Sequence, residues 1–308
     1  VNGYLTSTSQ GRPGILKDIA DMYLMTDGTP YTSRSGYETL TLAQESQNRD
    51  KRFSQTMRAP GYKRIGETKE TAPNLAACET GYQPVKYLQA AQYDAYNTSM
   101  VDMPIFRAAE VYLNFAEAKA ELGTLTQSDI DMSIKPLRER AGVSNLSLAV
   151  ANATPDPYLL DEVTGYLNVK GPFTGVILEI RRERTVELMM EGFRYWDIMR
   201  WHEGQRFTRT FRGLYFPGPG NYDLNADGTP DVCLWSGSKP ATSAPIVYEI
   251  NKEIFLSDGT SGNIVLHTDF PRTFRQDRDY LYPIPTEDRI LTNGNITQNP
   301  GWIDGLNF

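Results

Sequence analysis

Between Pro104 and Gly123 the segment PIFRAAEVYLNFAEAKAELG places Ala108, Val111, Phe115, Ala118 and Leu122 at three- and four-residue steps, which predicts an amphipathic helix stopped by Gly123. SDIDMSIKPLRERAG follows, opening at Ser128 and Asp129 and ending near Gly142, so the two segments predict a helical hairpin with a short connection. Pro136 falls inside the second helix and is expected to kink or shorten it. A Pro- and Gly-bearing stretch from Asn145 to Gly175 precedes GVILEIRRERTVELMMEGFRYWDIMRWHEG, a second helical pair broken at Gly192. Two such hairpins suggest a superhelical repeat, although no similarity at a fixed period establishes one. The first hundred residues, with turn signals such as Asp27 to Pro30, predict loops with short helices, and everything beyond Phe207 predicts loops. A connected region of that length is functional surface or a wrapping scaffold.

The second helical pair carries Glu179, Glu183, Glu187 and Glu191 four residues apart, a like-charged face that needs compensation, for which Arg181, Arg182, Arg184, Arg194 and Arg200 are at hand. The row has two readings: a glycosidase acid and its partner carboxylate, or an Arg–Glu lattice joining helices. Guanidinium geometry suits interhelical pairing, so the lattice is the reading taken. Tyr195, Trp196, Met199 and Trp201 at helical spacing predict core, Trp196 included.

The balance of 40% hydrophobic and 22% charged residues over 308 positions is that of a folded chain, in one large domain or two ordinary ones, and excludes disorder, collagen and a disulfide scaffold. No apolar run approaches the roughly 18 residues of a membrane helix, and the first residues lack a signal pattern. A net charge of -7 without a basic run argues against nucleic acid. Cys78 and Cys233 make no disulfide framework, and two histidines, His202 and His267, are too few for the HExxH, three-His or paired ExxH metal motifs. GxSxG, GxGxxG and Walker A motifs are absent. One local motif stands out. In DLNADGTPD, Asp223, Asn225, Asp227, Thr229 and Asp231 alternate as oxygen donors around Gly228, the pattern of a calcium loop, with Leu234 where an EF-hand has its bidentate Glu. A single structural calcium ion is expected there; the competing reading is a polar turn cluster without metal.

FRAAEVYLNFAEAKAELG, PLRERAG, ILEIRRERTVELMMEGFRYWDIMRW and YLYPIPTEDRILTNGNITQNPGW, in that order, resemble the C-terminal hallmarks of the SusD/RagB family, and SQNRDKRF, preceded by MTDGTP, is similar to that family's earlier pattern. Glu183, Arg184, Glu187, Glu191, Gly192, Arg194 and Asp197 match its helical signature, and Pro283, Ile284, Pro285, Gln298, Asn299 and Pro300 its terminal one. The resemblance implies a mainly α, SusD-like fold of tetratricopeptide-like helical hairpins wrapped by long loops, a single region over 1–308, and no catalytic residue. It further implies a surface lipoprotein of Bacteroidetes at the extracellular face of the outer membrane, which captures glycans and passes them to a SusC-like TonB-dependent transporter. The lipid-bearing Cys and the first helical repeats are expected outside this chain, so that membrane association comes only through that anchor. Sugars need aromatic planes and polar partners. Tyr31, Arg34 and Tyr37 in one polar loop are the candidate glycan site, followed by Tyr215, Phe216 and Tyr222. A glycoside hydrolase, or a peptide-binding or structural member of the family, is the alternative.

Overall fold

The computed structural model describes residues 2–303 and 305. Four short helices, α1 (Asn2–Thr6), α2 (Lys17–Ala20), α3 (Leu42–Glu45) and α4 (Lys51–Thr56), lie among the loops of the first hundred residues. Then come α5 (Ala108–Glu121), α6 (Gln127–Ala141), α7 (Leu148–Ala153), α8 (Pro157–Leu160), α9 (Thr174–Glu187) and α10 (Arg194–Arg200), with α11 (Thr286–Leu291) near the end.

The α5–α6 hairpin forms for the expected reasons. Its second helix opens on a capping box in which the Thr126 hydroxyl accepts from the Asp129 amide (3.2 Å) and Asp129 accepts from the Thr126 amide (2.8 Å). It closes on Gly142 in the left-handed region (φ 71°), where a side chain would be strained. Pro136 does not shorten α6, which runs five residues past it and forgoes only the bond to the Met132 carbonyl.

The face of α5 differs from the expected one. Ala109, Leu113, Ala116 and Ala120 are buried against α6 and α9, whereas Ala108, Val111, Ala118 and Leu122 point outward. Two apolar rows run along this helix, and periodicity alone does not say which packs inward.

Almost every residue of α9 is buried, which makes it the central helix despite its charges. Gly175 lets it approach α7: a Cβ there would stand 1.8 Å from the Ala151 carbonyl oxygen.

The region after Phe207, expected to be loops, holds two small sheets. β1 (Phe211–Phe216) pairs antiparallel with β5 (Gly262–Leu266), and β2 (Gly220–Tyr222), β3 (Val232–Trp235) and β4 (Ile246–Glu249) form a second sheet with one antiparallel and one parallel pair. The strands are short and separated by Pro and Gly, so their alternation is too brief to read. One hydrophobic cluster joins Ile15 to Ile264 through the helices, so the early segments, the helices and the sheets share a core. Trp201 belongs to it, but Trp196 is 58% exposed, contrary to its assignment as core. It borders a depression of about 540 Å³ with Arg278 and Tyr280. Cys78 and Cys233 are free, buried thiols, and burial lifts Cys78 to about 11. Among the described residues no helix is long and apolar enough to cross a membrane.

Candidate functional site

The carboxylates of the row, three in α9 and Glu191 just beyond it, are neutralised chiefly from other elements. Glu183 accepts from Arg52 (2.5 Å) and Arg138 (2.9 Å). Glu187 meets Arg52 (2.8 Å), Arg107 and Arg140 (both 2.6 Å), and Glu191 meets Lys86 and Arg107. Of the arginines nominated from the sequence, only Arg182 pairs with the row, at Glu179 (2.8 Å). Arg184 and Arg200 bind Asp197 and Glu117, Arg181 binds Glu203, and Arg194 donates to Tyr166 and Thr185. Burial would raise the carboxyls of Glu183 and Glu187, but the guanidiniums around them overcome it and hold both below the usual glutamate value. A glycosidase acid needs the opposite shift. The row is therefore a lattice tying α4, α5 and α6 to α9.

Beside this lattice lies a cleft of about 1200 Å³. The first wall is the 27–39 loop. Asp27 accepts from the Thr29 amide (2.9 Å) and hydroxyl (2.6 Å), which sets the turn, and Gly28 takes φ 85°. Tyr31 is 0% exposed, its ring under the Arg49 guanidinium (3.8 Å) and its hydroxyl donating to the Tyr37 carbonyl (3.0 Å). Arg49 in turn donates to the carbonyls of Ala20, Tyr23 and Glu45, which is what SQNRDKRF does locally. Tyr31 is thus a pillar rather than a stacking surface. Tyr37 packs edge-on against it (5.7 Å) and lines the cleft half-buried. Arg34 is not in the lining; it sits by the Tyr31 ring (5.7 Å).

The second wall comes from α7, α8 and the turn after them. Ser147 caps α7, Asp156 caps α8 while pairing with Arg182, and Asp161 accepts from the amides of Val163 (2.8 Å) and Thr164 (2.9 Å). The third wall is the edge of β1 and β5, where Tyr215 stands opposite Asn263 beside a register shift that follows Arg212. Phe216 and Tyr222, nominated with Tyr215, pack on each other (4.8 Å) away from the cleft. On the floor, Lys17 bridges Asp21 (3.0 Å) and Glu45 (3.9 Å). Burial raises both carboxyls, Glu45 to about 7, and burial together with Asp21 and Glu38 pushes Tyr37 up to about 12. Tyr158, Asn145 and Asn263 were not singled out from the sequence; they meet at the cleft only through tertiary contacts between segments far apart in the chain.

The DLNADGTPD loop joins β2 to β3, outside the cleft. Asp223 accepts from the amides of Asp227 (3.2 Å) and Gly228 (2.7 Å), Asp227 from Thr229 (2.8 Å), and Asp231 from Leu224 (2.8 Å). Asn225 donates to Asp227 (3.1 Å), and Gly228 takes φ 87°. Among the described residues no three His, Cys, Asp or Glu side chains converge on one ion position.

An aromatic-edged cleft thus lies beside a charge-latticed helical core. The SusD family model matches residues 7–302, and the chain belongs to that family, one of binding, non-catalytic proteins. Among solved structures it is similar to a SusD-like carbohydrate-binding protein from Bacteroides fragilis NCTC 9343, at 23% identity, TM-score 0.55, with 90% of this chain and 47% of that one covered. It is also similar to a second SusD-like protein of the same strain, at 21% identity, TM-score 0.56, with 94% and 47% covered. The chain thus spans about half the length of the structures it matches. No curated protein matches it.

Proposed function

We propose that this chain is part of a non-catalytic surface protein that captures glycans in the cleft between Tyr37 and Tyr215, for import by a SusC-like TonB-dependent transporter at the extracellular face of the outer membrane. The observation that carries the reading is the cleft itself: two half-buried tyrosines from different walls offer planes to a sugar, and hydroxyl and amide side chains such as Ser147, Thr164 and Asn263 supply hydrogen bonds. The carbohydrate-binding description of the Bacteroides fragilis neighbour supports it. The α5–α6 hairpin is, on the same reading, one tetratricopeptide-like repeat.

Catalysis is disfavoured by the placement of the two acids at the cleft whose carboxyls are raised, as a general acid requires. Asp21 is 3% exposed and bound to Lys17, and Glu45 is 1% exposed beneath them, so neither is offered to a glycosidic bond. Affinity electrophoresis in polysaccharide gels tests the proposal. Retardation by at least one polysaccharide, weakened by Tyr215→Ala and without new reducing ends, is expected; no retardation in any gel, or release of reducing ends, overturns it.

A calcium ion held by Asp223, Asn225, Asp227, Thr229 and Asp231 is a separate proposal. The alternating oxygens and the positive φ at Gly228 support it. The carboxylates would have to turn from the loop's own amides to the ion.

A further inference from the structure

The charges around the cleft are distributed unevenly, and the unevenness bears on which glycans can enter. Three cations line it, and each has an ion-pair partner. Lys17 is 2% exposed and bound to Asp21, Arg138 is 2% exposed and bound to Glu183 and Glu179 (3.2 Å), and Arg212 binds Asp18 (2.7 Å). Four carboxylates of the lining, those of Asp27, Glu38, Asp161 and Asp258, are exposed and have no ion pair among the described residues. Hydrogen bonds from Thr29 and Thr164 hold Asp27 and Asp161 below the usual aspartate value, so both are anionic at neutral pH. Arg209, the cation that Asp161 feels, is turned to the carbonyls of Glu162 (3.4 Å) and Gly165 (2.8 Å).

These four acids come from all three walls: Asp27 and Glu38 from the early loop, Asp161 from the turn after α8, and Asp258 from the segment before β5. They are spread over the exposed lining, and among the described residues they do not converge as a cation site. A carboxylate or sulfate on a sugar is recognised by a free guanidinium fork or ammonium; here Lys17 and Arg138 would first have to leave buried partners, and Arg212, whose side chain is 31% exposed, already shares its charge with Asp18. A neutral sugar asks the reverse, since its hydroxyls donate and a free carboxylate accepts them. The chain's net charge of -7 adds to the same field.

We infer that the cleft selects uncharged glycans and rejects chains bearing uronate or sulfate groups, an inference that rests on the glycan-binding reading above. Affinity electrophoresis and titration calorimetry would compare galactomannan, dextran and mixed-linkage β-glucan with polygalacturonate and chondroitin sulfate. The measurements would be made at about 20 mM and about 0.5 M NaCl, to either side of the screening threshold.

The best neutral polysaccharide is expected to bind at least about tenfold more tightly than either polyanion at low salt, with a smaller gap at high salt. The double variant Glu38→Lys/Asp258→Lys is expected to narrow the low-salt gap severalfold. Either polyanion binding within tenfold of the best neutral chain, or an unchanged gap in the double variant, overturns the charge selection while leaving glycan capture in place. Binding to none of the five overturns glycan capture and the selection with it.

Discussion

Replacing Glu45 by Gln tests the electrostatics beneath the cleft. Glu45 ends α3 with one carboxylate oxygen accepting from the Tyr82 hydroxyl (3.1 Å) and 3.9 Å from Lys17, while the other has no hydrogen-bond partner. Around it lie Asp21, which opposes its charge, and Arg49, which supports it. Burial dominates and raises the carboxyl from 4.5 to about 7. A raised folded value means that the folded state holds the proton more tightly than the unfolded one. The stability tied to this group is therefore fully present below about pH 4.5 and is lost as pH rises through about 7. Each tenfold change in proton affinity corresponds to about 1.4 kcal/mol, so the loss is on the order of 3 kcal/mol.

Gln has the shape of the protonated acid, keeps an acceptor for Tyr82 and does not titrate. Urea unfolding of wild type and variant from about pH 4.5 to about pH 8 should show the variant gaining on wild type by on the order of 3 kcal/mol. The raised carboxyl of Asp21 pulls wild type and variant in the same direction, and because its charge opposes that of Glu45 the difference reports the titration of the coupled pair with Glu45 as its larger part. Parallel pH profiles for the two proteins would refute the reasoning.

Arg184→Ala and Glu187→Ala should each destabilise by about 3 to 5 kcal/mol, because each strands buried partners, without selectively removing glycan binding at temperatures where the variants are folded; unchanged melting temperatures would contradict the lattice. The depressed carboxyls of Glu183 and Glu187 contribute stability above the usual glutamate value of 4.5 that is lost as pH falls through their lower folded values, so acid unfolding followed by circular dichroism should begin below about pH 4.5 in wild type. Tyr37→Ala should weaken glycan binding about 3- to 10-fold with little change in melting temperature, whereas Tyr31→Ala should destabilise by about 3 to 5 kcal/mol; calorimetry that assigns these effects the other way round would overturn the pillar assignment. Chelator should lower the melting temperature modestly relative to about 1 mM calcium, and Asp227→Ala should abolish the difference; identical melts of the wild type would leave the β2–β3 loop a polar turn.

What could be read in advance follows a physical pattern. Helix α6 was legible because its start and stop are local chemistry, a Thr–Asp capping box and a left-handed Gly, both visible within a few residues. The inward face of α5 was not, because both of its rows are apolar and only the neighbouring α6 and α9 decide between them. The lattice was read correctly in kind and incorrectly in its partners: Arg52 lies 131 positions from Glu183, a pairing no local spacing encodes. At the cleft, the loop was found through its tyrosines, but which ring faces out depends on Arg49 lying over Tyr31, again a tertiary contact. Tyr215 carried the same aromatic signal as Phe216 and Tyr222, and the register with β5 separates them.

Arg138 and Glu179 are members of the ion-pair lattice and also part of the cleft lining. The wall of the cleft is therefore continuous with the ion-paired core, Arg138 being held to α9 by a short charge-assisted bond. A surface of this kind gives up little conformational freedom when it is filled. On the proposed glycan-binding reading, adaptation to different glycans falls to the Tyr37 loop and the β1–β5 edge, so that sequence change at the rim alters what is captured while the lattice beneath stays fixed.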